Sequence, residues 1–251
     1  MQRPAIRALI PNLVTLSGLC FGITSMRFAL EGQFQASLIC ILLAAACDLL
    51  DGMLAALLNA QSELGAQLDS LADFVNFGIA PGLLLYMSLM SDMGLMSWLS
   101  ILIFIIFSCI RLAIFNISND VEDQTLPIHN FFMGVPTPAG AVLILLPVTH
   151  SFLGLNWWSD SPHFLAFYTL IIAFMLISNI PTYSLKSHSL QLKKSHSIRI
   201  LILFFAFLLV LINFLWILIS VLAAMYLFFF PFSISSYPAL NKSSLLYISQ
   251  R

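Results

Sequence analysis

Four aspartates, Asp48, Asp51, Asp69 and Asp73, carry the chemistry this sequence offers. They fall in D-L-L-D-G-M-L-A-A over residues 48–56 and in G-A-Q-L-D-S-L-A-D over residues 65–73, with eight residues between. On a helix Asp48 and Asp51 share one face, while Asp69 and Asp73 share another with Gly65 one turn earlier. An ionised carboxylate in apolar surroundings costs several kcal/mol unless it is paired, hydrated or bound to metal. Four together call for a cation. Oxygen-only donors suit hard divalent ions such as Mg²⁺ or Mn²⁺, which commonly complete their coordination on substrate phosphates. Two such ions would roughly neutralise four carboxylates and clamp a transferring phosphoryl group. Intramembrane acids also line ion and proton pathways. On spacing alone, phosphoryl chemistry and cation transport stand level.

The elements that must position these acids are membrane helices. Of 251 residues, 60% are hydrophobic and 8% charged, against about 25% charged in soluble domains, which excludes the aqueous globular class. A net charge of -1 offers no basic surface for nucleic acid. Cys20, Cys40, Cys47 and Cys109 lie in apolar stretches without C-x-x-C spacing and read as small buried hydrophobes. The five histidines share no metal spacing. Arg3 and Arg7 precede an apolar run that no small-x-small site closes, which predicts a retained first membrane helix rather than a cleaved leader.

A span needs about 20 apolar residues. The sequence predicts spans at 10–30, 34–58, 64–90, 95–116, 133–154 and 164–182. A last block, 198–232, would reach roughly 52 Å as one helix at about 1.5 Å per residue, beyond a hydrocarbon core of about 30 Å. Splitting it near Asn213 gives about eight transmembrane helices in an all-α polytopic fold. With the N-terminus inside, Arg3, Arg7, Arg111, Lys186, Lys193, Lys194, Arg199, Lys242 and Arg251 all fall on the cytoplasmic side. The opposite connections 31–33, 91–94 and 155–163 hold no Lys or Arg, and only Arg27 is off pattern. Trp157 and Trp158 then sit at the outer interface. This topology ends span two on Asp48 and Asp51 and begins span three with Asp69 and Asp73, near the cytoplasmic surface. Gly52 and Ala55 keep bulk low there, so the two helices can approach.

The acid segment resembles the signature of the CDP-alcohol phosphatidyltransferases, D-x-x-D-G-x-x-A-R-x8-G-x3-D-x3-D. Asp48, Asp51, Gly52, Ala55, Gly65, Asp69 and Asp73 match it; Ala56 stands where the family has arginine. The runs 10–22, 68–81, 111–116 (R-L-A-I-F-N), 132–140 and 178–186 resemble the serine-using bacterial branch of that family. The resemblance implies a catalytic core of about six helices over 1–186, followed by a C-terminal helix pair and tail over 187–251. It implies a homodimer in the bacterial inner membrane, with a cytoplasm-facing site where L-serine attacks CDP-diacylglycerol to give phosphatidylserine and CMP. Asp48, Asp51 and Asp69 would hold Mg²⁺ or Mn²⁺. Asp73 would complete the metal set and act as general base on the serine hydroxyl. Gly52, Ala55, Gly65, Asn12 and Arg111 would meet substrate. Glycerol phosphate and inositol phosphate stand as alternative acceptors.

Three departures from the pattern are apolar. Besides Ala56, Met53 and Ile114 replace residues that are often basic in these synthases. Either the chain is a weakened or non-enzymatic member, or Arg111 and the loop lysines supply the charge; the complete set of aspartates favours a working enzyme. Arg111 has two readings, snorkelling at a span end and binding a phosphate or the serine carboxylate. Asn12 and Asn116 divide likewise between interhelical hydrogen bonding and ligand contact. Pro136 and Pro138 are expected to shape a helix entry. Lys193 and Lys194 report orientation, with attraction to anionic membrane lipids as a second role.

Overall fold

A computed structural model describes residues 6–120, 131–133, 135–155, 157–158, 162–178, 181–183 and 216–226. Helix α1 spans Ile6–Leu30, α2 Phe34–Leu57 and α3 Glu63–Met90, and α4 covers Leu95–Asp120. Helix α5 is Thr137–Phe152, α6 Pro162–Ile177 and α7 Trp216–Tyr226. Among the described residues the first four are long and apolar enough to cross a membrane, and α5, α6 and α7 are shorter apolar helices. The chain is a polytopic helical membrane protein, as expected. Much of its apolar side-chain surface points outward, Leu13, Ile23, Leu49, Leu71 and Phe174 among it, as lipid requires of a helix bundle.

Two details depart from the expected spans. Strand β1 (Phe131–Met133) pairs antiparallel with β2 (Pro181–Tyr183), so residue 133 and residues 181–182 are extended rather than helical. Proline explains both limits. The residue before a proline avoids the α region, so Pro181 ends α6 at Ile177. Pro136 and Pro138 open α5 only at Thr137. The proposed division at residue 186, the lysine-rich loop, the split near Asn213 and the tail lie outside the described residues.

The helices that carry the acids are held in fixed register. Helix α1 packs along α2, with Ser25 and Ser37 hydroxyls 2.9 Å apart near the turn that joins them. A short connection joins α2 to α3. Asn59 adopts a left-handed φ of 48°, which asparagine tolerates, and the Ala60 N–H donates to Ala55 O. Ser62 then caps α3, its hydroxyl accepting from the Gly65 N–H at 3.0 Å.

Helix α3 widens into π-helix over Phe74–Ile79, directly after Asp73, with the Ala80 N–H reaching Val75 O. Pro81 has no N–H to return to the chain below it, and a widened turn is one way a helix accommodates that loss. Asn116 of α4 and Ser70 of α3 exchange hydrogen bonds at 2.9 and 3.1 Å. Two turns farther along α3, a Cβ on Gly78 would lie 3.2 Å from the Ser108 Cβ.

Candidate functional site

The N-terminal half of α1, the C-terminal part of α2 and the start of α3 converge on the aspartates. Carboxylate oxygens of Asp48, Asp51 and Asp69 all lie within 4.8 Å of one another. Asp51 is 5% exposed and accepts a hydrogen bond from the Thr15 hydroxyl of α1. The Asp48 carboxyl lies within hydrogen-bonding reach of both Asp69 and Asp73. Asp73 stands outside the trio and is joined to it through Asp48. Two pairs with helical spacing, brought together by a close helix contact, thus give one acidic centre.

Beside this centre lies a cavity of about 310 Å³. Asn12 and Thr15 from α1, Asp51, Gly52 and Ala55 from α2, and Gly65 and Asp69 from α3 line it, with Gln61 and Ser62 of the connection closing one side. Asp51 and Asp69 also face a tight crevice behind the cavity, shared with Asp48, Asp73, Thr15, Gly18 and Asn76. Those two carboxylates therefore form the wall between an open chamber and the remaining acids.

The glycines have distinct reasons to be glycine. Nothing lies within 4 Å of a Cβ built on Gly52, so that position keeps the chamber open. A Cβ on Gly65 would sit 3.0 Å from Asn12 Oδ1 and 3.1 Å from Ser62 Oγ, so the motif glycine lets α1 and the helix cap close on α3. Gly22 accommodates Asn76, whose Oδ1 would collide with any Cβ there.

Of the residues singled out in the sequence, Asp51, Asp69, Gly52, Ala55, Gly65 and Asn12 line the cavity, and Asp48 and Asp73 lie in the crevice. Arg111 lines neither; it is 7% exposed on α4, its guanidinium 5.8 Å from the Phe115 ring centre. Asn116 makes the interhelical bond to Ser70. Ala56, Met53 and Ile114 are exposed. Sequence reasoning passed over Thr15 and Asn76. Both are polar residues in apolar helices, Thr15 one turn after Asn12 and Asn76 three residues after Asp73, a spacing that puts each on its neighbour's face.

The donor set fits a hard divalent cation: three converging carboxylates, with no nitrogen or sulfur ligand grouped with them among the described residues, and an open chamber on one side. Residues 8–153 match the CDP-alcohol phosphatidyltransferase family, a segment that includes every cavity and crevice residue. A Mycobacterium bovis CDP-diacylglycerol--serine O-phosphatidyltransferase is 39% identical over 194 residues, 76% of this chain and 63% of that protein. The Helicobacter pylori (strain 26695) protein of the same name is 35% identical over 74% of this chain and 76% of its own length. The Bacillus subtilis one is 31% identical over 72% and 94%. The chain thus spans less than two thirds of the mycobacterial relatives and most of the shorter ones. With the acidic motif built as one centre and the match running through all the helices that form it, this chain belongs to the CDP-alcohol phosphatidyltransferase family.

Proposed function

We propose that the protein transfers a phosphatidyl group from CDP-diacylglycerol to L-serine, releasing CMP and forming phosphatidylserine. The observation that carries this reading is the convergence of Asp48, Asp51 and Asp69 on the wall of an open chamber. In a family that acts on CDP-alcohols, such a wall faces the diphosphate. The serine acceptor is supported by the names of the relatives.

In this reading Asp48, Asp51 and Asp69 hold Mg²⁺ or Mn²⁺, with Asp73 completing the acidic set. A bound divalent ion would offset negative charge on the diphosphate as the phosphorus–oxygen bond to CMP breaks. The chain's own residues do the rest. Thr15 fixes the Asp51 carboxylate by hydrogen bonding. Gly52 and Ala55 leave room for the nucleotide end of the lipid, and Asn12 presents an amide to the same chamber. Asp73 takes the proton of the serine hydroxyl as its oxygen attacks phosphorus. The site opens toward the cytoplasm of a bacterial inner membrane, where nucleotide and amino acid are soluble and the lipid tails stay in the bilayer. Assembly as a homodimer enters this reading from the family resemblance alone.

The test is CMP release from CDP-diacylglycerol by purified protein, with Mn²⁺ or Mg²⁺ and with L-serine, glycerol phosphate or inositol phosphate as acceptor. Serine-dependent release abolished by EDTA is the expected result. Release with another acceptor alone would reassign the substrate. No release with any acceptor, where a control synthase works, would leave a non-enzymatic family member.

A further inference from the structure

Asn76 is a polar side chain where an apolar one would pack at lower cost. It is 2% exposed, in the widened turn of α3 that follows Asp73, and its Oδ1 has no hydrogen-bond partner. Burying an amide with an unmet acceptor carries a desolvation penalty that a leucine of similar size would not. Beyond it, residues 77–85 of α3 carry no polar side chain. Asparagine here needs a reason, and its Nδ2 end is the one that can supply it.

The slot that holds the amide decides which end faces the acids. Gly18 and Gly22, one turn apart on α1, form its wall. Oδ1 lies against Gly22, where any Cβ would collide with it, and Gly22 does not line the crevice. Gly18 does line it, and a Cβ there would lie 3.7 Å from Nδ2. Nδ2 is therefore the end turned toward the carboxylates, as suits a donor.

The three helices keep one register through this region. Thr15 of α1 meets Asp51 of α2. One turn on, a Cβ on Gly18 would lie 3.1 Å from the Cys47 Cβ, beside Asp48. A further turn on, Gly22 meets Asn76. Along α3 the matching series is Asp69, Asp73, Asn76. Asn76 thus closes the crevice at the end away from the chamber.

The supply of donors then singles out one acceptor. Four aspartates, Thr15, Asn76, Gly18 and Ala72 line the crevice. With the aspartates ionised, only Thr15 and Asn76 among these described residues carry side-chain donors, and the Thr15 hydroxyl is bonded to Asp51. Asp48 belongs to the trio whose oxygens group for a cation, and Asp73 stands outside it. Two ionised carboxylates are both acceptors, so Asp48 cannot then hold Asp73. Asn76, three residues after Asp73 on the same helix, is the donor left for it.

We propose that Asn76 is a positioning residue: from the floor of the crevice its Nδ2 donates to the Asp73 carboxylate and fixes the orientation in which Asp73 takes the acceptor's proton. This rests on the reaction proposed above, with Asp73 as its base. The Gly18–Gly22 pair then has a purpose beyond close helix packing. It gives the amide a seat in which it cannot turn away from Asp73.

A double-mutant cycle on kcat for CMP release tests this, because it reads whether Asn76 works through Asp73. Asn76→Leu removes the donor at similar volume, and kcat is expected to fall about 10- to 100-fold, the scale of one hydrogen bond to a charged group. KM for both substrates and the stabilisation by Mn²⁺ in thermal unfolding are expected to hold. Asn76→Ser, which keeps a donor, should lose less. In an Asp73→Asn background, Asn76→Leu should lower the residual kcat by less than about twofold. An equal fold-loss in both backgrounds marks a packing role and overturns the proposal. So does an unchanged kcat, a rise in KM alone or loss of the Mn²⁺ response. Should Asn76→Leu fail to fold, Asn76→Ala takes its place in the cycle. A second readout needs no turnover. In protein labelled with ¹⁵N-asparagine, the Asn76 side-chain amide signal, identified by its absence from the Asn76 variant, should move further in Asp73→Asn than in Asp51→Asn. Equal movement in the two overturns the proposed bond. If wild type releases no CMP, the proposed reaction fails and the amide signal alone judges the bond.

Discussion

The Thr15 hydroxyl of α1 donates to the Asp51 carboxylate of α2, and the same hydroxyl turns back toward Pro11 O at 3.2 Å. The bond lies where cavity and crevice meet, and it joins the first helix to an acidic motif that lies wholly on the second and third. A hydrogen bond to a charged group is worth roughly 1.5–3 kcal/mol. Removing it leaves Asp51 free to rotate out of the donor set. Thr15→Val, nearly equal in shape, should weaken the apparent Mn²⁺ affinity on the order of tenfold, whereas Thr15→Ser should restore most of it. A metal titration of CMP release gives the comparison, and equal affinities in all three proteins would remove Thr15 from the site.

The aspartates divide by position, and their variants should divide the same way. Asp51 and Asp69 face the chamber, so Asp51→Asn or Asp69→Asn should cut turnover by roughly 10²–10³-fold, the scale of losing one preorganised electrostatic group. Their stabilisation by Mn²⁺ in thermal unfolding should vanish as well. Asp73→Asn should lower kcat by about 10²–10⁴-fold, as expected of a general base, while the Mn²⁺ shift persists. Loss of the Mn²⁺ shift in Asp73→Asn would recast Asp73 as chiefly a ligand.

The acidic centre was legible in the sequence because both its ingredients are local. Helical spacing puts Asp48 with Asp51 and Asp69 with Asp73, and a connection of a few residues folds the two pairs together. Thr15 and Asn76 were only half legible: spacing puts them on the faces of Asn12 and Asp73, but the partner each meets lies on another helix, which spacing does not encode. Asn76 fits only because Gly18 and Gly22, more than fifty residues earlier, leave space for it. The first four spans were clear from their apolar length. The limits of α5 and α6 were not, because hydropathy continues through residue 133 and residues 181–182 while proline and strand pairing end the helices. Arg111 was visible as a charge at a span end, but nothing in its spacing showed that its Nε would be buried without a hydrogen-bond partner.

Gly22 and Gly52 should respond oppositely to alanine. At Gly22 the new Cβ meets Asn76, a buried side chain on a packed helix, and overpacking of this kind costs about 1–3 kcal/mol. Gly22→Ala should lower the melting temperature in detergent. At Gly52 the methyl enters open space, and alanine favours a helix over glycine by about 1 kcal/mol. Gly52→Ala should therefore keep or raise the melting temperature while raising KM for CDP-diacylglycerol, because the methyl occupies the chamber. A stability loss at Gly52 would show that the chamber is filled by protein in the native enzyme.

Ala56 tests whether the missing motif arginine matters. It lies exposed in the last turn of α2, beside the cavity-lining Ala55, so a long side chain there meets no packed neighbour and folding should be unaffected. Ala56→Arg adds a planar cation beside the chamber, and a charge-assisted bond to a phosphate is worth roughly 1.5–3 kcal/mol. That corresponds to an increase in kcat/KM for CDP-diacylglycerol of about 10- to 100-fold. The gain should appear in the nucleotide-lipid substrate and leave KM for L-serine nearly unchanged. Ala56→Lys should recover less, because an ammonium cannot match two phosphate oxygens at once. If neither variant changes kcat/KM, the phosphate charge is already met by other cations of the chain. Arg111→Lys combined with Ala56→Arg would then show whether Arg111 is the source, since an arginine at 56 that rescues the Arg111 variant ties the two positions to one substrate charge.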